Sequence, residues 1–358
     1  MTATLKISGL VHEGWESVRI TRGLDRAASD FSLVVTEKVP GQAAPPKIVP
    51  GAACELFADG ERVITGYIDD VNIQYSSDSR TLSFNGRSKT GDLVDCSAVN
   101  EPGQWSNVTL QKIADDIAGE YGVKVSVSGE TDPFTTFRLQ PAERAFDAIE
   151  RVARMRAMMV TDDPTGRLII TRAGSERSAT QILCKPGNPK NNVLEGSAMF
   201  SHRDRYSKYV VKSQSSGSDD LYGADAAQAT ASATDSGITR SRTLILQAET
   251  ESQTGSARDR AEFDAGVREG KSLKINYRMR GWRQADGKLW KPNIIVSVDD
   301  DMARVKGDFL VSEVTLSLNQ SGQTVSLNVV PPEAYKLLPS SQRGKGTDPL
   351  AKYLVAGD

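Results

Sequence analysis

The stretch that decides the fold is WKPNIIVSVDDDMARVKGDFLVSEVTLSLNQSGQTVSLNVV, residues 290–330. Apolar and polar residues alternate in it: Val314, Leu316 and Leu318 share one face, and after a polar turn the alternation resumes at Val325. A period of two residues is typical of a β-strand with one buried face. The stretch therefore predicts a β-hairpin that contributes one side to a core.

The chain contains an earlier copy of this hairpin. A shift of 243 residues brings VNIQYSSDSRTLSFN at 71–85 onto 314–328 without a gap. The apolar positions coincide, and three polar positions are identical: Thr81 and Thr324, Ser83 and Ser326, Asn85 and Asn328. Hairpins of equal loop length also recur by chance in β-rich proteins. The ungapped match favours a duplicated β-barrel or sandwich domain, one copy near each end of the chain.

Length and charge limit the classes of protein to be considered. A chain of 358 residues is long enough for two or three domains with separate cores. A net charge of −2 and a pI of about 5.9 argue against a surface that binds nucleic acid or membrane by bulk charge. No segment approaches the roughly 18 apolar residues of a membrane span, and no signal peptide is recognisable, so we expect synthesis in the cytoplasm and no membrane insertion.

The residues that most often carry chemistry are few and scattered. Three cysteines, Cys54, Cys96 and Cys184, stand in no metal-ligand pattern, and we expect them to be reduced and mostly buried. The two histidines, His12 and His202, are interpreted as surface residues because no nucleophile motif accompanies them. Neither a zinc site nor a disulfide framework is therefore expected.

Acidic residues raise two separate questions. Asp299, Asp300 and Asp301 could suggest calcium or magnesium, but consecutive residues point in different directions, whereas a calcium loop needs alternating ligands and a distal glutamate. A solvated turn is favoured, and ion binding stays open. Asp70 and Glu313 occupy the same place in the two hairpin copies, so we ask whether they face a common partner.

Two further patterns resemble binding motifs. Residues 265–272, AGVREGKS, come close to a phosphate-binding loop, but a helix precedes them and a strand follows, the reverse of the order that cradles phosphate. A basic and aromatic cluster of the kind that can hold single-stranded nucleic acid follows: Tyr277, Arg278, Arg280, Trp282 and Arg283. Because no wider basic field surrounds it, a solvated or subunit-facing strand edge is favoured.

The predicted fold class is mainly β with an α+β insert, in which two similar β-barrel domains flank a small α+β module. The expected parts are a first β-barrel domain at 1–97, an α+β module of two helices and a hairpin at 98–178, a second β-barrel domain at 179–330 and a flexible C-terminal tail at 331–358. Within the second domain we expect a mobile insertion at 213–239, which has no Lys or Arg, and a helix at 256–269.

Local signals set the expected ends of three helices. Asn107 is placed to cap the first helix of the module, and Gly122 can end it in the left-handed conformation. The second helix begins after Pro141, and the helix of the second β-domain is expected to open with Ser256 and stop at Gly270.

The order of these segments resembles a known family. The strand-rich start, GYIDDV at 66–71, TLSFNGRSKTGDLVDCS at 81–97, the helix-helix-hairpin middle and GDFLVSEVTLSLNQSGQTVSLNVVPPEAY at 307–335 look like the baseplate hub tail protein of Mu-like contractile phages. The resemblance covers essentially the whole chain and rests on the order and character of segments.

The resemblance implies a homotrimer in which two similar β-barrel domains per chain alternate round a ring with six near-equivalent positions. Such a ring could join a sixfold tail tube, or tube-adjacent baseplate proteins, to a trimeric central spike, and DNA would pass through its channel without specific binding. The protein would belong to the virion tail baseplate and be assembled in the bacterial host cytoplasm. The family has no catalytic residues to carry over, so we assign no enzyme activity, cofactor, metal or catalytic residue.

Two other functions compete with this interpretation. A tail-tip peptidoglycan hydrolase predicts a cleared band on peptidoglycan zymography that a carboxylate substitution abolishes. A glycan-binding protein for host recognition predicts exposed aromatic residues clustered on one face and binding to purified surface glycan.

Overall fold

Antiparallel strands make up most of the structure, a computed structural model that describes residues 3–37, 48–129, 131–156, 158–174, 176–213, 229–247, 257–335 and 353–354. The chain forms two compact units. Unit 1 comprises Met1–Arg172, Arg278–Asn293 and Ser312–Leu327, and unit 2 comprises Ala173–Tyr277, Ile294–Val311 and Asn328–Asp358. The mainly β fold class predicted from the alternating residues is confirmed.

Seven strands and a short helix form the N-terminal β-region. They are β1 (Ala3–Ile7), β2 (Leu10–His12), β3 (Ser17–Gly23), β4 (Asp30–Glu37), β5 (Ala53–Ala58), β6 (Glu61–Tyr75), β7 (Arg80–Ser88) and α1 (Gly91–Asp95). The hydrogen-bonded order is β3-β4-β7-β6-β5-β1-β2. Alternate side chains of these strands point into the core, among them the buried Leu33, Leu82 and Phe84. Trp15 packs edge-on against Phe84, with ring centroids 5.8 Å apart.

The middle module contains two helices and two small sheets. Its elements are β8 (Gln104–Val108), α2 (Leu110–Gly119), β9 (Val125–Val127), β10 (Phe134–Arg138), α3 (Ala145–Arg154), β11 (Met159–Asp162) and β12 (Leu168–Thr171). Both predicted helices and the β11–β12 hairpin are confirmed, and their apolar faces meet in one core that includes Ile113, Ile117, Ile149 and Val152. The pairing of β8 with β10 was not predicted from the sequence.

The start of α2 differs from the prediction, and its end agrees with it. Asn107 lies within β8 and has a φ of +52°, so it does not cap the helix. The N-cap is Thr109, whose hydroxyl accepts a hydrogen bond from Lys112 N and which directly precedes the first buried residue, Leu110. Gly122 has a φ of +64°, the left-handed conformation expected after the helix.

Glu143 fixes the start of α3 through a shielded ion pair. Its two carboxylate oxygens accept hydrogen bonds of 2.8 Å from Nε and Nη2 of Arg151, and one also accepts from Gln140 N. Burial alone would raise the pKa of Glu143, but these bonds outweigh it and hold the pKa below its usual value. A depressed carboxyl pKa stabilises the fold above about pH 4.5, and the stabilisation is lost as the pH falls through the folded-state pKa.

We therefore expect Glu143→Gln to lower the free energy of unfolding at pH 7 by about 1–3 kcal/mol and to cost much less near pH 3. Urea denaturation of both proteins at the two pH values measures the difference. Glu150→Gln, which removes the exposed 3.8 Å pair with Arg154, serves as the control and should have little effect at either pH. An equal loss at both pH values for Glu143→Gln would contradict the assignment.

The C-terminal β-region holds the remaining elements. They are β13 (Ile182–Cys184), β14 (Val193–Phe200), β15 (Lys208–Ser213), β16 (Ala229–Thr234), β17 (Thr243–Gln247), α4 (Ala257–Lys271), β18 (Leu273–Arg280), β19 (Ile295–Asp300), β20 (Val305–Asn319), β21 (Gly322–Val330) and a 3-10 turn (Pro332–Tyr335). Strands β15, β16 and β17 form a separate small sheet.

Part of the expected mobile insertion at 213–239 is regular structure, so that prediction is wrong for residues 229–239. Strand β16 pairs antiparallel with β15, and Ala233, Asp235 and Ile238 are buried. The segment is poor in large apolar residues, but α4 packs on its sheet, and small side chains suffice at such a close contact. Residues 214–228 of the expected insertion lie outside the described residues.

Gly270 does not end α4, because the helix continues to Lys271. A Cβ atom at Gly270 would lie 2.2 Å from the backbone nitrogen of Ala334, so glycine is required there for close approach rather than for a helix stop. Ser256, the expected first residue of this helix, lies outside the described residues.

Two parts of the expected flexible tail at 331–358 are packed against the rest of the protein: residues 332–335 and Tyr353. The 3-10 turn at Pro332–Tyr335 buries Ala334. Tyr353 stacks against Phe309 with ring centroids 4.9 Å apart and donates a 2.7 Å hydrogen bond to Glu333 Oε2. Residues 336–352 and 355–358 lie outside the described residues.

The duplication predicted from two hairpins extends to four strands. The first repeat, defined as β4, β7, β6 and β5, and the second repeat, defined as β18, β21, β20 and β19, have these strands in the same hydrogen-bonded order. Corresponding strands have equal lengths of 8, 9, 15 and 6 residues. Among the described residues the strand path runs from β14 to β2 without closing, so neither expected barrel is closed.

Candidate interaction surfaces

The two histidines lie at the ends of strands, His12 half-buried and His202 exposed. His12 pairs with Leu5 at the end of β2, and His202 is exposed just after β14, where its carbonyl accepts a hydrogen bond from Arg242. Across the described residues, no three His, Cys, Asp or Glu side chains come together in a way that could hold a metal ion.

The aspartate run has internal partners. Asp300 is buried, its Oδ2 accepts a 2.8 Å hydrogen bond from the Tyr277 hydroxyl, and burial together with Asp300 raises the pKa of Tyr277. Asp299 forms ion pairs with Lys185 and Lys306. The prediction of a solvated turn thus misses a buried middle residue, which the consecutive acidic letters could not reveal.

The basic and aromatic cluster provides no stacking platform. Arg278 and Arg280 share the exposed face of β18, as their spacing predicts, but Tyr277 and Trp282 are buried in the core. Arg283 forms an ion pair with Glu61, with 2.5 Å between Nη1 and Oε1. Residues 265–271 are the end of α4, and Ser272 joins α4 to β18, which confirms the helix-then-strand order that argues against a phosphate loop.

The three cysteines were expected to be mostly buried; Cys54 is buried, whereas Cys96 and Cys184 are half-buried, and none of the three is paired. Burial, with a smaller contribution from Asp69, raises the pKa of the Cys54 thiol to about 12. Because only the thiolate reacts, we expect iodoacetamide at pH 8 to label Cys54 more than about a hundredfold more slowly in the native protein than in urea. Peptide mass spectrometry measures both rates, and rapid native labelling would contradict the burial of this thiol.

The two repeats differ in how one strand edge is used. In the second repeat, β20 pairs with β3, with Leu316 opposite Ile20 and Leu318 opposite Val18. Leu316 is only 2% exposed as a result. Arg26, which follows β3, donates a 2.8 Å hydrogen bond to Glu313 Oε2 at the start of this paired edge.

No described strand covers the matching edge of the first repeat. Strand β5 pairs with β6 only as far as Tyr67, while β7 continues along the other edge to Tyr75. Among the described strands none pairs with the remaining edge at 69–75, which we name the β6 edge. Ile73 is 50% exposed and Tyr75 is 83% exposed, although they correspond to the buried Leu316 and the partly buried Leu318.

A second open edge lies on β14. This strand ends the hydrogen-bonded path and has β18 as its neighbour in it. Its side chains are largely exposed, among them Leu194 at 46%, Met199 at 54% and Phe200 at 51%. Such an exposed apolar strand is a template for pairing with another strand. Sequence alternation alone could not show that these two edges have no pairing strand among the described residues.

Membrane crossing by a helix finds no support in the part of the chain that the structure describes. None of the helices there is both long and apolar enough to span a bilayer.

Models of phage baseplate families match most of the chain. Residues 2–88 match the N-terminal domain of the Mu phage baseplate assembly protein GpP-like family. Residues 90–172 match the second domain of the baseplate hub protein gp44-like family, and residues 253–338 match the fourth domain of the Mu phage baseplate assembly protein GpP.

Individual relatives agree with these matches. The chain is 34% identical to the baseplate hub protein gp44 of Escherichia phage Mu, over 96% of this chain and 91% of that protein. Its fold is similar to the crystal structure of the prophage MuSo2 43 kDa tail protein from Shewanella oneidensis, with a TM-score of 0.84, 33% identity, and coverage of 94% and 100% of the two chains. A tail protein from Neisseria meningitidis has a TM-score of 0.80 at 21% identity, with 94% and 99% covered.

Proposed function

The chain belongs to the baseplate hub proteins of Mu-like phage tails, a component of the virion, and on that premise we propose that it assembles into a homotrimeric ring. The six repeats of three chains alternate round the ring and give it pseudo-sixfold symmetry. The ring joins the hexameric tail tube, or baseplate proteins next to the tube, to the trimeric central spike. Assembly takes place in the cytoplasm of the bacterial host.

The observation that supports this proposal is the repeat itself. Two four-stranded repeats with the same strand order and the same strand lengths occur in one chain. Three such chains related by a threefold axis offer six similar surfaces, which a sixfold tube can match, while the ring keeps the threefold symmetry of a spike. The role is structural rather than enzymatic, and DNA passes through the central channel without specific contacts.

The oligomeric state tests the proposal directly. Light scattering of the purified protein should give about three times the chain mass of 38.7 kDa, and negative-stain images should show a threefold ring with a central hole. A strict monomer at every concentration, also with the cognate spike protein present, would contradict the ring. A cleared zymogram band that a carboxylate substitution abolishes would instead support a peptidoglycan hydrolase.

A further inference from the structure

Each repeat is flanked by one further strand at the same position. In the first repeat this strand is β3, which lies beside β4 with Ser17 opposite Val34. In the second repeat it is β14, which lies beside β18, and a Cβ atom added at Gly196 would lie 3.4 Å from the ring of Tyr277. Tyr277 stands 243 residues after Val34, so Gly196 takes the place of Ser17. If Gly196 lies opposite Tyr277 in an antiparallel pair, Ser201 lies opposite Ser272. The backbone hydrogen bond from Ser201 N to Ser272 O agrees with that register.

One of the two flanking strands is used within the chain. The outer edge of β3 pairs antiparallel with β20 of the second repeat over six residue pairs, Val18–Gly23 with Glu313–Leu318. This pairing links the first repeat to the second and buries Ile20 and Leu316 together. The equivalent link from the second repeat back to a first repeat would need β14 and the β6 edge, and both remain open within the described residues.

We infer that β14 of one chain adds as an antiparallel strand to the β6 edge of a neighbouring copy of the same chain. Transferring the register of the β3–β20 pair places Ser197 opposite Tyr75 and Met199 opposite Ile73. The inference rests on the proposed ring and identifies its contact. Each chain donates one strand and receives one, a head-to-tail contact that closes after three chains when the rotation per chain is 120°.

The chemistry of the two edges fits this pairing. Strand addition would satisfy the outward backbone groups of both edges and cover Ile73, Tyr75 and Met199. Asp70 corresponds to Glu313, which accepts a hydrogen bond from Arg26 just after β3. In the transferred register His202 falls opposite Asp70 of the neighbouring chain, and the exposed Arg203, the next residue, is the cation nearest to that carboxylate in sequence, since the exact counterpart of Arg26 is the buried Arg205. Asp70 and Glu313 would then have the same kind of partner, an arginine that follows the strand paired with their edge.

Cysteine pairs test the register. Under mild oxidation, the double variant Ile73→Cys with Met199→Cys should form disulfides between chains and give dimers and trimers on a non-reducing gel, because opposite residues in paired strands lie within disulfide reach. The matched control combines Ile73→Cys with Leu194→Cys. That partner is displaced by five residues, roughly 17 Å along the strand, and should form no such bond.

A charge at the β6 edge tests the contact independently. We expect Ile73→Lys to raise the concentration at which the trimer dissociates by at least about tenfold, measured by analytical ultracentrifugation. Ile245→Lys is the control, because Ile245 in β17 is similarly exposed at 59% but lies on neither edge. Both isoleucines are half exposed in the single chain, so circular dichroism should show unchanged folding.

The outcomes separate this inference from the ring proposal. A wild-type trimer that forms no Ile73–Met199 bond and tolerates Ile73→Lys would overturn the strand pairing and leave the ring standing. Cross-linking that is as efficient in the displaced control would overturn the register. A wild-type protein that stays monomeric would overturn the ring and this contact together.

Discussion

Replacing Asp235 with alanine is expected to lower the free energy of unfolding by about 3–5 kcal/mol. Asp235 accepts hydrogen bonds of 2.9 and 2.8 Å from Nε and Nη2 of Arg205, and the Arg205 side chain has 0% exposure. The substitution leaves a guanidinium buried beside Glu269, whose nearest oxygen is 4.0 Å away and does not replace the two short bonds. Urea denaturation measures the loss, and hydrogen exchange should locate it in the β15–β17 sheet.

Two variants show whether burial is the cause. Asp308→Ala breaks the exposed ion pair with Arg177 and should have little effect on stability. Replacing both partners, with Arg205→Met and Asp235→Leu, removes both members of this ion pair and should recover part of the lost stability, while the carboxylate of Glu269 stays buried beside them. An effect of Asp235→Ala no larger than that of Asp308→Ala would show that the Arg205 site is open to water.

The Arg205–Asp235 pair also shows where sequence reasoning fails. The sequence around Asp235 is polar and poor in large apolar residues, and these properties predict mobility. What orders it is a partner 30 residues earlier in the chain and a helix packed over its sheet. Such contacts join residues that are distant in sequence, and local composition contains no information about them.

The repeat was predictable because it is a property of the sequence itself. Alternation and the 243-residue shift identified the hairpins of both copies, and the structure extends the same shift to β4 and β18. The candidate contact was not predictable in the same way. Ile73 and Leu316 occupy matching positions with similar side chains, yet one is half exposed and the other buried, because β3 pairs with β20 whereas no described strand pairs with the β6 edge. The pairing of β3 with β20, which are far apart in the sequence, decides which of the two side chains is exposed.

The second large effect is expected at Gly270, in the last turn of α4. A Cβ atom there would lie 2.2 Å from the nitrogen and 2.4 Å from the Cα of Ala334, and backbone atoms cannot rotate away as a side chain can. In an open helix position alanine is more stable than glycine by roughly 0.5–1 kcal/mol. At Gly270 the clash should reverse that sign, and we expect Gly270→Ala to destabilise the protein by about 1–3 kcal/mol.

Gly119→Ala is the matched control, because Gly119 is also helical, in α2, and a Cβ atom there meets no atom within 4 Å. This variant should be neutral or more stable by up to about 1 kcal/mol, so urea denaturation should shift the two variants in opposite directions. Loss of the contact with Ala334 should also release the 3-10 turn, which hydrogen exchange would detect. If Gly270→Ala instead stabilised the protein as Gly119→Ala does, the close packing of α4 on the 3-10 turn would be wrong, and the glycine would have to be explained as a helix terminator after all.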